Sequence, residues 1–213
     1  MKQWKQIISI AALAMCGLFT AACGNQESAT ASNAGAAKTA TSSANATQAA
    51  KADGKKILVA YFSASGNTKK IAETAATVLG ADLYELKPAQ PYTQSDLNYR
   101  NDASRVVKEH DDANRHVALA NATPPNFADY DVVLVGAPMW WHEAAWPVND
   151  FLTQNDFTGK TVVPFISSYS DPLGDSGEKM AKLAGTGIWQ TGACFTVSSS
   201  QSDVEEWAKG LKF

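Results

Sequence analysis

Residues 57–80 read ILVAYFSASGNTKKIAETAATVLG, and the fold is decided by the change of pattern inside this stretch. The first six residues are continuously apolar, which is typical of a strand that is covered on both faces. The polar stretch 63–68, called the first loop below, follows directly. Apolar residues then recur at helical spacing as far as Gly80, a common helix terminator. A buried strand, a polar turn and an amphipathic helix in this order indicate one β/α unit.

The same alternation continues to the end of the chain. Apolar runs predict further strands at 82–86, 131–135, 161–166 and 192–197. Helices are predicted near 102–110, from 147 to 152, at 178–183, and at 203–211 with Ser202 as the N-cap. Strands that are apolar throughout need helices on both faces. We therefore expect a three-layer, doubly wound α/β domain with a five-stranded parallel sheet.

The N-terminal quarter of the chain has a different composition. Residues 1–22 begin with a short basic segment and continue as an apolar run, which is the layout of a secretory signal peptide and too short for a stable membrane span. Small residues before Cys23 resemble a lipobox, so we expect lipidation of Cys23; the alternative is a plain signal peptide with an incidental cysteine. Residues 23–54 are rich in Ala, Ser, Thr and Asn and predict a flexible tether. The folded domain is then 55–213, exported and lipid-anchored to the cell envelope.

Charge and cysteine content narrow the range of functions. From Lys51 onward there are 15 Lys and Arg residues against 20 Asp and Glu, a net charge of −5. This mild acidity, without a basic cluster, argues against a nucleic-acid partner. Cys194 is the one cysteine after the signal region, so the domain cannot form an internal disulfide, and no Cys/His set has metal-ligand spacing. We expect no metal site and a buried Cys194.

The first loop has the composition of an anion site. A helix N-terminus presents unpaired N–H groups and a partial positive charge. Ser63, Ser65 and Thr68 add hydroxyl donors, Gly66 allows close backbone approach, and Asn67 can cap the helix or donate. The nucleotide patterns G-x-x-x-x-G-K-[ST] and G-x-G-x-x-G are both absent. The loop therefore predicts a seat for a single phosphate monoester; the alternative is an ordinary polar strand-to-helix turn.

A second loop, residues 136–147, carries adjacent tryptophans. A flat heteroaromatic ring that stacks on indole gains roughly 0.5–1.5 kcal/mol beyond burial of its area. Trp140 and Trp141 therefore predict a binding face, while at least one of Trp141 and Trp146 is expected to pack under the loop. His142 and its neighbouring glutamate lack metal-ligand spacing, so we expect His142 to face solvent.

A third loop, residues 167–177, is long, polar and glycine-bearing. It could close over the other face of a planar ligand. Asp171 and Asp175 place negative charge there, although a turn residue and a helix N-terminal acid are their more ordinary roles. All three loops follow predicted parallel strands, so they are expected at one edge of the sheet.

Together these motifs resemble the flavodoxin family, and most closely its bacterial lipoprotein and secreted members. The resemblance rests on ILVAYFSASGNTKKIA (57–72), DYDVVLVGAPMWWHEAAWPVNDFL (129–152), GKTVVPFISSYS (159–170) and DVEEWAKGL (203–211). It covers 55–213 and implies the strand order 2-1-3-4-5, with FMN at the C-terminal edge of the sheet. It implies phosphate contacts from Ser63, Ser65, Gly66, Asn67 and Thr68. It implies ring contacts from Pro138, Met139, Trp140, Trp141, Ser168, Tyr169 and Ser170.

The resemblance implies an FMN-binding electron-transfer protein with a partner protein or a quinone as its redox partner, and no catalytic side chain is assigned. One alternative is a flavin-dependent NAD(P)H:quinone or acceptor oxidoreductase. Another is a non-redox lipoprotein that binds a phosphorylated ligand. Two departures from the family are the mild acidity and the segment 92–115, which is not a simple second helix and is expected to cover part of the site.

Overall fold

A computed structural model describes residues 54–213, and all structural statements below concern that range. The predicted signal peptide, the lipidated Cys23 and nearly all of the predicted tether lie outside the described residues. Across 54–213, no helix has both the length and the apolar character needed to cross a membrane.

The domain alternates strands and helices, as predicted. The strands are β1 (Ile57–Tyr61), β2 (Asp82–Glu85), β3 (Val132–Trp140), β4 (Glu143–Ala144), β5 (Thr161–Ser167), β6 (Ile188–Trp189) and β7 (Ala193–Phe195). The helices are α1 (Asn67–Leu79), α2 (Arg105–Asp111), α3 (Asn149–Gln154), α4 (Ser176–Ala184) and α5 (Gln201–Gly210). Two short 3-10 helices occupy Phe127–Asp129 and Trp146–Val148.

The parallel sheet has the predicted order. β1 lies between β2 and β3, and β5 pairs with the other side of β3. β6 and β7 both pair with β5 in parallel and together form an interrupted fifth strand. The interruption lies beside Pro164, which cannot donate a ladder hydrogen bond. A Cβ on Gly192 would lie 2.0 Å from the Pro164 carbonyl oxygen, so only glycine fits there.

Both faces of the sheet are buried, which explains the continuous apolar runs. Successive side chains of a strand point to opposite faces. In β1, Val59 packs in the cluster that α1 and α5 cover, whereas Leu58 packs in the cluster that α3 and α4 cover. The two side chains are 0% and 1% exposed. The resulting three layers confirm the predicted architecture.

β3 extends further than predicted and changes the second loop. The strand runs on to Trp140, turns through Trp141 and His142, and returns as β4 with antiparallel pairing of Met139 to Ala144. Both turn residues have left-handed backbones, with φ of 46° and 64°. The expected irregular loop is therefore a short β-hairpin, residues 139–144, with two non-glycine residues in a conformation that usually requires Gly or Asn.

Two smaller expectations need correction. The N-cap of α5 is Ser200 rather than Ser202: Ser200 Oγ accepts from Asp203 N at 3.3 Å, and Ser200 N donates to the Asp203 carboxylate at 2.7 Å. This reciprocal pair is a capping box. Cys194 is half-buried rather than buried, and its thiol donates to the Asp171 carbonyl at 3.2 Å.

Candidate functional site

The three predicted loops meet at the edge where β1, β3 and β5 end. Thr68 Oγ1 and Ser167 Oγ share a hydrogen bond of 2.7 Å, which joins the first loop region to the third. His142 Nδ1 lies 3.3 Å from the Asp171 carboxylate, which joins the hairpin to the third loop. Phe62, at the end of β1, packs edge-to-face on a hairpin tryptophan at 5.6 Å. These three contacts therefore join the first and second loops to their neighbours at this edge of the sheet.

The first loop is shaped as a helix N-terminus open to an anion. Gly66 is the N-cap of α1, has φ of +89° and makes no side-chain cap bond. Ser63 Oγ accepts from the N–H groups of Gly66 and Lys69 at 3.1 and 3.2 Å, which fixes the turn. In the described part of the chain, the N–H groups of Asn67 and Thr68 have no hydrogen-bond partner. These two donors are therefore available to a ligand.

The side chains of this loop divide into exposed and buried groups. Ser65 and Asn67 are exposed, and their side chains lie 3.4 Å apart. Thr68 is only 1% exposed, and its hydroxyl is committed to Ser167. The Thr68 side chain therefore attaches the first loop to the end of β5, while the Thr68 backbone N–H stays available to a ligand.

The three tryptophans of the second loop have different environments. Trp140 is half-buried, at 5.5 Å from the Tyr92 ring and 4.9 Å from the Trp146 ring, in edge-to-face geometry. Trp146 is 2% exposed, which confirms that one tryptophan packs under the loop. Trp141 is 36% exposed; its indole stacks on His110 at 4.4 Å and lies 5.7 Å from the Trp146 ring. Trp141 is therefore the indole that remains most accessible.

The remaining predicted ring-side residues line the same edge. Pro138 pairs with Ser167 across the sheet, and the Met139 sulfur lies 4.0 Å from the Ser176 hydroxyl. Ser168 Oγ accepts from Asp171 N at 2.9 Å. Tyr169 and Ser170 are exposed, Tyr169 to 81%. Tyr169 therefore offers an unobstructed aromatic face.

The titratable groups near the third loop include His142 of the hairpin, Asp171 and Cys194. His142 has 83% of its side chain exposed, which confirms the expected solvent-facing position. Burial, with a smaller contribution from the Asp171 charge, raises the pKa of the Cys194 thiol. The thiol therefore stays protonated at neutral pH. Within residues 54–213, no group of three potential metal ligands occurs.

One feature beside the hairpin was not predicted from the sequence: a carboxylate in the segment 87–125 that accepts hydrogen bonds from several side chains. Glu109 in α2 accepts from Tyr92 Oη at 2.5 Å, Arg105 Nε at 2.6 Å and Trp146 Nε1 at 2.9 Å. Burial and the bond to Glu109 raise the pKa of Tyr92. Only the i,i+4 spacing of Arg105 and Glu109 was visible in the sequence. The other partners come from distant positions.

The segment 87–125 thus packs against one side of the hairpin. Besides the Glu109 bonds, Arg115 forms an ion pair with Glu143 of β4. Val106 and Val117 pack with Trp146 in a small separate core. These contacts attach the hairpin and the residues that follow it to the segment 87–125.

Comparisons with known proteins identify the family of the chain. The flavodoxin family model matches residues 56–211, so the chain belongs to the flavodoxin family. A protein of Bacteroides eggerthii classed as a flavoprotein is 36% identical, with a TM-score of 0.67 over 74% of this chain and 99% of that chain. A similar protein of Bacteroides uniformis is 35% identical, with a TM-score of 0.68 over 73% of this chain and 99% of that chain.

A more distant structure shares the fold. It is a flavoprotein of Lactobacillus acidophilus in complex with FMN, 22% identical, with a TM-score of 0.52 over 72% of this chain and 99% of that chain. No curated protein matches the sequence significantly.

Proposed function

We propose that this chain binds FMN and transfers electrons on the outer side of the cytoplasmic membrane. The observation that carries the proposal is the meeting of an open helix N-terminus and accessible aromatic rings at one sheet edge. The Lactobacillus flavoprotein, whose structure contains FMN, supports the choice of flavin. When bound, FMN supplies one- and two-electron chemistry, and the protein positions it and tunes its potential.

The first loop fits a phosphate monoester. The N–H groups of Asn67 and Thr68 would donate to it, with the hydroxyls of Ser63 and Ser65. A Cβ built on Gly66 meets no atom within 4 Å, so the space beside the backbone is open. Hydrogen bonds to a charged group contribute roughly 1.5–3 kcal/mol each, so four would supply much of the roughly 12 kcal/mol that nanomolar binding requires.

The second and third loops fit the ring. Tyr169 would stack on it, because its ring is 81% exposed, and the exposed part of Trp141 would contact it. Trp140 with Pro138 and Met139 would form the supporting wall. Ser168 and Ser170 would supply polar contacts to the ring edge. The nearby carboxylates of Asp171 and Asp175 would lower the reduction potential, because they disfavour added negative charge.

A binding experiment with two ligands separates these contributions. Titration of the flavin-free protein should quench flavin fluorescence, with riboflavin, which lacks the phosphate, binding at least about 100-fold more weakly. Tyr169→Ala should weaken both ligands by roughly twofold to tenfold through lost stacking. Tyr99→Ala is the matched control, because Tyr99 is also an exposed tyrosine, at 65%. Absence of FMN binding at about 100 μM refutes the proposal.

The location is part of the same proposal. Residues 1–22 would direct export, Cys23 would carry the lipid, and residues 23–54 would tether the domain. The signal has no twin arginine, so the chain would cross the membrane unfolded and acquire FMN outside. Metabolic labelling with a radioactive fatty acid should mark the wild type but not Cys23→Ala. An unlabelled wild-type chain would contradict the lipid anchor.

A second candidate function is an NAD(P)H:acceptor oxidoreductase. The observation that favours it is the exposure of Tyr169, which leaves the third loop open to a second planar molecule. Steady-state oxidation of NADH with a quinone by the FMN-loaded protein would support this enzyme. Reduction of the flavin only by a partner protein would support the carrier.

A further inference from the structure

A cleft of about 370 Å³ lies beside the end of the second loop and away from the first and third loops. Its walls come from β4, the 3-10 helix that follows it, the start of α3, and the exposed side of α4. No residue of the first or third loop lines it. The cleft is therefore a separate feature from the proposed FMN site, although β4 of the hairpin belongs to both.

The floor of the cleft is apolar and partly aromatic. Trp146 and Met180 contribute to it and are each 2% exposed. Leu183, 40% exposed, stands at the entrance. The guanidinium of Arg115 lies 4.7 Å from the centre of the Trp146 ring. The cleft volume of about 370 Å³ is at the lower end of the roughly 300–1,000 Å³ that small-molecule sites occupy, so the cleft suits a ligand of one or two rings.

The charge of the cleft is opposite to that of the domain. Arg115, Lys179 and Lys182 line it, against the single carboxylate of Glu143. The domain as a whole has five more acidic than basic residues from Lys51 onward. A local excess of positive charge in an acidic protein selects anions.

The three cations differ in how far they are neutralised. Arg115 is paired with Glu143, and Lys179 lies 3.1 Å from the Asp175 carboxylate. Lys182, in the last turn of α4, has no carboxylate within 4.0 Å in residues 54–213. Its ammonium group is therefore the free counter-charge at the rim of the cleft.

We propose that this cleft binds a small aromatic carboxylate. The ring would pack against Met180 and Leu183, and the carboxylate would pair with Lys182. This site is additional to the proposed FMN site and does not depend on it. Lys182 is the specificity-determining residue, because an apolar floor alone does not distinguish an acid from a neutral ring.

Calorimetric titration of the full chain with 1-naphthoate tests the proposal. Saturable binding is expected, and the neutral analogue 1-naphthylmethanol should bind at least about tenfold more weakly. Lys182→Gln should weaken naphthoate binding by roughly fivefold or more and leave the alcohol unchanged. Lys209→Gln is the matched control, an exposed lysine of α5 whose substitution should change neither affinity by more than about twofold.

Three results would overturn the proposal: no saturable heat up to about 5 mM naphthoate, equal binding of the acid and the alcohol, or wild-type affinity in Lys182→Gln. Repeating the titration with and without FMN keeps the two proposals separate. Loss of the naphthoate signal with intact FMN quenching rejects the cleft alone. Naphthoate binding without FMN quenching rejects the FMN site alone.

Discussion

Replacing Glu109 by alanine removes the acceptor that holds the hairpin to the segment 87–125. Tyr92 Oη and Trp146 Nε1 lose their partner, and Trp146 is 2% exposed. An enclosed donor without a partner costs roughly 1–3 kcal/mol. Arg105 keeps its bond to the Gln90 carbonyl, so it adds little to the cost. Water can reach the half-buried Tyr92, so its hydroxyl adds less to the cost than the Trp146 N–H. In total, we expect Glu109→Ala to lower the free energy of unfolding by about 2–4 kcal/mol.

Glu109→Gln separates shape from charge. The amide oxygen can still accept a hydrogen bond, but charge-assisted bonds become neutral ones, so a loss of about 1–2 kcal/mol is expected. Urea unfolding followed by tryptophan fluorescence and circular dichroism measures both variants. The control is Glu205→Ala, because within residues 54–213 the polar partners of the Glu205 carboxylate are the surface groups of Lys209 and Gln201, and its loss should be below about 0.5 kcal/mol. A Glu109→Ala protein within about 0.5 kcal/mol of wild type would refute the role of this carboxylate.

Three further predictions concern the backbone, the tyrosines and a helix cap. Gly66→Ala should cost about 1–2 kcal/mol of unfolding free energy through its φ of +89° alone, because its Cβ meets no atom; an unchanged urea midpoint would contradict this. Burial raises the pKa of Tyr61 and of Tyr130 to about 12. The contribution of these two neutral tyrosines to the free energy of unfolding should therefore be fully present below pH 10 and decline as the pH rises towards 12. Phenolate absorbance that develops near pH 10 while the protein stays folded would contradict this. Ser200→Ala should cost about 1 kcal/mol in urea unfolding and Ser202→Ala less than about 0.5; equal losses would argue against the capping box.

The sheet and its first helix were predictable because their signals are local. The predicted helix between the first loop and Gly80 is confirmed by α1, since its apolar spacing and Gly80 both lie within the segment. The strand order came from the family resemblance, and the structure confirms it. The interruption of the fifth strand was not predicted, because it depends on the contact between Gly192 and Pro164 of the neighbouring strand.

The hairpin was missed for a different reason. Tight hairpins are recognised by Asn-Gly or Asp-Gly at the turn, and here Trp141 and His142 take the left-handed conformation instead. Such residues adopt it only where surrounding contacts compensate for the strain. The contacts that do so come from His110 and from the Arg115–Glu143 pair, which belong to a distant segment. No window of sequence around the turn contains them.

The contacts between the loops also predict how the site responds to a ligand. The Thr68–Ser167 bond is buried, so the phosphate end of the proposed FMN site is firmly attached to the sheet. The His142–Asp171 contact is exposed, and pairs of this kind contribute only about 0–1 kcal/mol. A ring that enters between the hairpin and the third loop would therefore break only this weak contact. The roughly 0.5–1.5 kcal/mol gained by stacking on one indole is enough to offset the loss of the His142–Asp171 contact. The phosphate end is then preorganised and the ring end adaptable, so the phosphate should dominate affinity while the loops adjust to the ring.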